Sequence, residues 1–209
     1  MPDLLGALFR RRGWPWSPTT RGPHMSHGRR VIATPRLALR ELIVDDAPFV
    51  LRLLCDPSFL RYIGDRGVRD LDSARRYIAR GMLDSYERHG FGLWLIELSE
   101  EDDQPIGLCG LVVREGLPAP DIGFALLPAW WSRGYAFEAA TAVMAHARRV
   151  VGLSRLLAIA SPRNDASLRL LRKLGFRYER ELSVSGETEP VALFGCDIGG
   201  IDAVDHRPG

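Results

Sequence analysis

Lysine is almost missing from this 209-residue chain. Lys173 is the only one, so 27 of the 28 basic residues are arginine. The arginines are scattered rather than gathered into a patch, and the formal net charge is only +2. That balance carries no electrostatic footprint for nucleic acid. Cysteine is scarce too. Cys55, Cys109 and Cys196 are odd in number and far apart, which argues against a disulfide framework and supplies no CxxC or Cys/His metal spacing. A reduced, cytoplasmic setting without a metal is expected, with each cysteine a small buried hydrophobe. The five histidines include no pair at ligand spacing. No apolar run approaches the 18 or more residues of a membrane span. A GxxxxGK[ST] phosphate loop is also missing.

What is present suits one folded domain of about 150–180 residues with tails. Residues 1–30 carry six arginines against one acid, Asp3, which leaves the remainder mildly acidic. Rich in Arg, Pro, Gly and Ser, they are expected to form an unfolded tail. Residues 31–198 are expected to form the domain, and 199–209 a C-terminal tail.

Within the domain, the alternation Arg36-Leu37-Ala38-Leu39-Arg40 predicts a first strand over 31–41. Asp45 predicts an N-cap, followed by a helix with Phe49, Val50, Leu53 and Leu54 on one face that ends near Asp56-Pro57. Residues 58–70 predict a loop suited to line a substrate site. Asp72 predicts the next cap, with Ala74, Ile78 and Met82 stepping along a helix that closes at Gly90. Strands at 91–98 and 105–113 flank an acidic turn. A strand at 121–127 and a helix at 133–151 follow, with Glu138 near the helix start and Arg148 and Arg149 in its last turn, as the dipole favours. A strand at 155–160 precedes a helix capped by Asn164 and closed by Gly175. Strands at 176–184 and 190–197 complete the order β-α-α-β-β-β-α-β-α-β-β, a mixed α/β domain.

The stretch DIGFALLPAWWSRGYAFEAA at 121–140 organises the rest. It reads as a strand, a break at Pro128, a glycine-containing turn and a helix start. A helix start exposes backbone N–H groups of partial positive charge, a cradle for an anion. Gly134 admits a ligand close to that backbone. Pro128 ends the ladder and helps keep backbone groups near Phe124, Leu126 and Leu127 unpaired.

Three motifs in order and spacing carry a resemblance. They are Trp131-Ser132-Arg133-Gly134-Tyr135-Ala136, then Asn164 and Ser167 followed by Lys173-Leu174-Gly175-Phe176, and upstream Thr34-Pro35-Arg36-Leu37 with Arg40. Over residues 32–198 the chain resembles the GNAT acyltransferase superfamily, nearest to its branch of protein N-terminal and ribosomal-protein alanine N-acetyltransferases (the RimJ/RimL type). Trp131 departs from the Q/R that opens the family's Q/R-x-x-G-x-G/A turn. The resemblance implies a single domain with a central mixed, mostly antiparallel twisted sheet flanked by helices. It implies acetyl-CoA as co-substrate and direct attack by a primary amine in a ternary complex. The acceptor would be a protein N-terminus or a small amine such as an amino acid, polyamine or antibiotic. Residues 58–70, the two N-terminal helices and the turn at 186–190 would choose it. Backbone N–H groups of Arg133, Gly134, Tyr135 and Ala136 would meet the pyrophosphate, with the Arg133 side chain beside them. Phe124, Leu126 and Leu127 would hold the pantetheine arm, joined by Asn164.

Two proton transfers remain. A lysine-like amine costs about 4–5 kcal/mol to deprotonate at pH 7, an α-amino group only about 1–1.4 kcal/mol. Asp121 stands where the branch often has Glu and is expected to act as base through water, with Glu97 as the alternative. Some members protonate the leaving thiolate with a Tyr whose place here is Leu171, which leaves Ser167 to bond the sulfur. A non-catalytic acyl-CoA sensor or interaction module of the same fold is the competing class. Monomer and homodimer both fit.

Overall fold

The computed structural model describes residues 27–99, 103–183 and 189–199. The expectations for 1–26, for most of the C-terminal tail and for much of the 186–190 turn lie outside the described residues.

The first alternating run is two strands, not one. β1 (Arg30–Ala33) and β2 (Leu37–Arg40) pair antiparallel, with Ala33 opposite Ala38. Thr34 N donates to the Leu37 carbonyl at 2.8 Å, and the Thr34 hydroxyl accepts from Leu37 N at 3.0 Å. Pro35 has no N–H to give to a ladder, so the reversal falls there. Ordered pairing begins slightly before residue 31, because Glu41 N donates to the Arg29 carbonyl at 2.9 Å.

A 3-10 turn (Val44–Asp46) leads into α1 (Ala47–Leu54). Asp46, not Asp45, precedes this helix, and its carboxylate binds Ile43 N and Arg40, each at 2.8 Å, rather than capping. The expected 58–70 loop contains a helix, α2 (Pro57–Tyr62). Asp56 accepts from Ser58 N at 2.8 Å and Pro57 takes the first helical position, which makes Asp-Pro a helix start here rather than a stop. α3 (Leu71–Tyr77) is capped by Asp70, not Asp72: Asp70 accepts from Ser73 N at 2.7 Å while Ser73 Oγ accepts from Asp70 N at 3.0 Å. α3 runs through a π-helical segment (Ile78–Leu83) into α4 (Asp84–His89), which ends at left-handed Gly90 as expected.

The remaining elements are β3 (Leu93–Leu98), β4 (Gln104–Val112), β5 (Asp121–Leu126), α5 (Tyr135–His146) with a π-helical extension (Ala147–Val151), β6 (Arg155–Ala160), α6 (Asp165–Lys173), β7 (Arg177–Leu182) and β8 (Val191–Asp197). They form one eight-stranded sheet in the order β1-β2-β3-β4-β5-β6-β8-β7. Only β5 and β6 run parallel.

Helices cover both faces. Ala139, Ala140, Val143 and Ala147 of the α5 side pack with Trp94, Ile96 and Leu111 on one face. Val50, Leu53, Ala74, Ile78 and Met82 pack with Leu95 and Leu108 on the other. A strand covered on both faces has no reason to alternate, which explains the apolar run of β3. Against β3, β4 carries an extra residue: Ile96 pairs with Gly107 but Glu97 with Pro105. This bulge places Ile106 in the same cluster as Cys109 and Leu111. Of the cysteines only Cys109 is fully buried; Cys196 is half-buried, and Cys55 is exposed with its Sγ donating to the Val68 carbonyl at 3.3 Å.

Candidate active site

β5 and β6 meet at a single register pair, Asp121 with Leu157, where Leu157 N donates to the Pro120 carbonyl at 3.0 Å. Beyond it they part, because β5 keeps its ladder with β4 and β6 keeps its own with β8. The register shows what faces the gap. Leu127 N donates to the Ile106 carbonyl at 3.0 Å. Backbone direction alternates along an antiparallel strand, so Leu127, Ala125 and Gly123 aim at β4 while Phe124 and Leu126 aim into the gap. The Leu126 carbonyl already accepts from Trp131 Nε1 at 2.7 Å. Both polar groups of Phe124 and the N–H of Leu126 are left pointing at whatever enters.

Two cavities open from this gap, of about 530 and 560 Å³. Both are lined by Phe59, Tyr62, Phe124, Ala125, Asn164 and Ser167, so they meet over the middle of β5. The smaller runs past Trp131 and Gly134 to the start of α5. The larger runs over Asp121 to the π-helical segment and α4, where Arg80, Asp84 and Arg88 stand on its wall. Residues 58–70 do line it, but through α2 and the turn after it. No sequence signal beyond Asp56-Pro57 marked that helix.

The start of α5 is built as a cradle. Gly134 is its N-cap at φ +83°, with no side-chain cap. The first intrahelical bond is Glu138 N to the Gly134 carbonyl at 3.0 Å, so Tyr135, Ala136 and Phe137 N–H have no helical acceptor. Ser132 is also left-handed, at φ +60°. Successive turns of this kind gather N–H groups around an anion. A Cβ at Gly134 would lie 3.4 Å from Arg36 Nη2. The glycine is therefore required by its backbone conformation rather than by lack of space.

A brace from the β1–β2 turn holds this cradle. Arg36 Nη1 donates to the Arg133 carbonyl at 3.1 Å, and Arg36 Nε to Glu138 Oε2 at 2.7 Å. Arg36 N and the Thr34 hydroxyl donate to Glu138 Oε1 at 3.1 and 2.6 Å. The Arg36 guanidinium lies 4.5 Å from the centre of the Tyr135 ring. Burial pushes the Glu138 carboxyl up, but these donors outweigh it and hold it below the usual carboxylate range. Thr34 and Arg36 belong to a motif of the resemblance, yet nothing in the sequence tied them to Glu138, which was read only for the helix dipole.

The expected cofactor residues divide. Phe124, Leu126, Gly134, Tyr135, Ala136, Asn164 and Ser167 line the smaller cavity. Leu127 does not: it is buried in the core and its N–H is in the β4 ladder. Arg133 does not either; its guanidinium sits 5.0 Å over the Trp130 ring, held there by cation–π attraction. Asn164 caps α6 as expected, accepting from Ser167 N at 3.1 Å. The two cavities meet beside Ser167. Asp121 forms part of the floor of the larger cavity, only 1% exposed, and accepts from Arg114 Nε at 2.9 Å. Glu97 lines neither cavity. It is buried and accepts from Arg40 Nε at 2.7 Å, in a triad with Asp46 that fixes β2 and β3 to the entry of α1.

A family model described as an acetyltransferase (GNAT) domain matches residues 36–177. The chain belongs to this family. An uncharacterized N-acetyltransferase of Bacillus subtilis, YoaA, is 29% identical over 150 residues, 71% of this chain and 84% of that one. The [ribosomal protein uS5]-alanine N-acetyltransferase of Escherichia coli is 29% identical over 101 residues, 47% of this chain and 52% of that one. The crystal structure of an acetyltransferase from Agrobacterium tumefaciens superposes with a TM-score of 0.68 at 25% identity, covering 83% of this chain and 97% of that one. The family and the single-domain, mostly antiparallel sheet read from the motifs are borne out.

Proposed function

We propose that this protein transfers the acetyl group of acetyl-CoA to a primary amine lying in the same cleft, by direct attack in a ternary complex. The observation that carries this reading is the meeting of two cavities over Phe124, Asn164 and Ser167. One has a cradle for an anionic cofactor, the other room for an acceptor.

The residues fit acetyl-CoA. The N–H groups of Tyr135 and Ala136, with the left-handed turn through Ser132 and Gly134, suit a pyrophosphate. Phe124 and Leu126 suit the amides of the pantetheine arm, as a missing β6 neighbour would. Asn164, which lines the same cavity, would stand beside that arm. When bound, acetyl-CoA supplies an activated acyl group on a thiolate leaving group. Phe124 N–H is the donor placed to stabilise negative charge on the carbonyl oxygen. Ser167 holds a proton toward the sulfur.

Asp121 is the proton acceptor in this reading, through water. Its carboxylate pairs with Arg114, Nε to Oδ1 at 2.9 Å, which fixes the orientation of the carboxyl at the floor of the larger cavity. An α-amino acceptor, whose deprotonation costs about 1–1.4 kcal/mol at pH 7, asks less of a carboxylate acting through water than a lysine side chain at about 4–5 kcal/mol. The acceptor is therefore a protein N-terminus, as the name of the uS5-alanine relative suggests, or a small α-amine. A non-catalytic sensor finds no observation in its favour.

The test is thiol release from acetyl-CoA over a panel of amines and peptides. Asp121→Asn is expected to slow transfer while acetyl-CoA binding persists, with the pH optimum moving up as the amine must lose its proton unaided. Full activity of Asp121→Asn at neutral pH removes Asp121 from the mechanism.

A further inference from the structure

We infer that the acceptor is a small amine that carries its own oxyanion, a carboxylate or a phosphate. The inference rests on the acetyl-transfer reading and adds the substrate class. The larger cavity takes arginines from four stretches of its lining: Arg61 and Arg66 from α2 and the turn after it, Arg80 and Arg88 from the helix opposite, Arg114 at the floor, and Arg163 ahead of α6. Against these six guanidiniums stand three described carboxylates, Asp84, Asp121 and Glu189. Each of the three lies beside one of those arginines: Asp121 at 2.9 Å from Arg114, Glu189 at 2.6 Å from Arg163, Asp84 at 3.9 Å from Arg88. The described lining thus carries more guanidiniums than carboxylates, and Arg61 and Arg80 stand outside these three pairs.

That surplus sorts the acceptors. A concave wall of one sign concentrates ligands of the other. Polyamines and polycationic antibiotics meet repulsion along the whole cavity. A carboxylate or phosphate meets planar forks that bind it in pairs of hydrogen bonds. Tyr77 lies on the same wall, near Arg66 and Arg114; burial raises its phenol, so it stays protonated and adds a neutral donor. The volume, about 560 Å³, lies within the range of about 300–1,000 Å³ usual for small-molecule sites. An oxyanion on the wall also fixes which end of the acceptor points at Phe124, so that the amine and not the acid reaches the junction.

The experiment uses the full chain, acetyl-CoA and matched pairs of α-amino acceptors: L-amino acids against their carboxamides, and O-phosphoserinamide against serinamide. Spermidine and one acidic and one neutral peptide N-terminus complete the panel. The oxyanion member of at least one pair is expected to show kcat/KM tenfold or more above its neutral twin. The preference should shrink as salt is raised. In Arg61→Gln and Arg80→Gln it should fall several-fold through KM, with kcat near wild type and acetyl-CoA affinity unchanged. Equal or reversed preference, spermidine as the best acceptor, or turnover of peptides alone overturns the inference. Acetyl-CoA binding is followed by thermal shift on the same samples. A retained shift without oxyanion preference removes this inference only; no shift removes the acetyl-transfer reading and this inference with it.

Discussion

Replacing Glu138 by Gln separates the cradle from the rest of the fold. Glutamine keeps one carbonyl oxygen for the Thr34 hydroxyl and Arg36 N, which now meet Oε1 at 2.6 and 3.1 Å. Its amide nitrogen then faces Arg36 Nε, a donor against a donor where a 2.7 Å bond stood. Hydrogen bonds to a charged partner contribute about 1.5–3 kcal/mol when shielded. The Arg36 side chain is 44% exposed and that of Glu138 17%, so solvent screens part of this. A net loss of about 1–2 kcal/mol follows, or a Tm lower by roughly 2–8 °C for a domain of this size. The native carboxyl lies below its ordinary value of 4.5, so its contribution is complete above that value and is lost as pH falls through the lowered one. The stability gap between wild type and Glu138→Gln should therefore be constant above about pH 5.5 and close as the solution is made acid. The same Arg36 holds the Arg133 carbonyl, so the acetyl-CoA Kd should rise about tenfold, or about 1.4 kcal/mol. Calorimetric titration and thermal melts, with Ile78→Val as a control, provide the assay. Ile78 is fully buried on the other face of the sheet, so the control should cost about 0.5–1.5 kcal/mol and leave Kd unchanged. If Glu138→Gln loses stability yet binds acetyl-CoA like wild type, the brace supports only the fold.

Gly134→Val places a β-branched residue at φ +83°. It should cost about 1–2 kcal/mol of stability and raise the acetyl-CoA Kd tenfold or more, at least about 1.4 kcal/mol; wild-type affinity would refute the cradle. Ser167→Ala should lower kcat about tenfold or more with acetyl-CoA affinity unchanged, because a hydrogen bond to the charged leaving group is worth about 1.5–3 kcal/mol; an unchanged kcat removes its role. Asn164→Ala loses the 3.1 Å cap on Ser167 N and should cost about 0.5–2 kcal/mol in a denaturant melt.

The parts of the site that were legible are those whose cause is local. Gly134 and Asn164 announce a helix start within a few residues, and Gly90 a helix end. The errors were local signals read in the wrong direction. Asp56-Pro57 reads locally as a helix stop, yet Asp followed by Pro at the first helical position is also a start, and Pro35 breaks a run whose alternation suggests one continuous strand. The larger omissions are not local at all. The Glu138 carboxylate meets Thr34 and Arg36 across more than 100 residues. The parting of β5 from β6 depends on what each strand pairs with on its far side, and the Arg133 guanidinium lies over the Trp130 ring, a contact no local signal announces. The larger cavity takes arginines from four separate stretches, none of which marks a shared site by its local sequence.

The most direct measurement is the thermal stability of the full chain with acetyl-CoA, CoA, ATP or NAD at the same concentration. A ligand at a hundredfold over its Kd adds about 2.7 kcal/mol to the folded state. Acetyl-CoA and CoA are expected to raise Tm, while ATP and NAD, lacking the arm that would lie along Phe124 and Leu126, leave it nearly unmoved. No shift with either CoA species, or an equal shift with all four, would contradict a cleft built for acetyl-CoA.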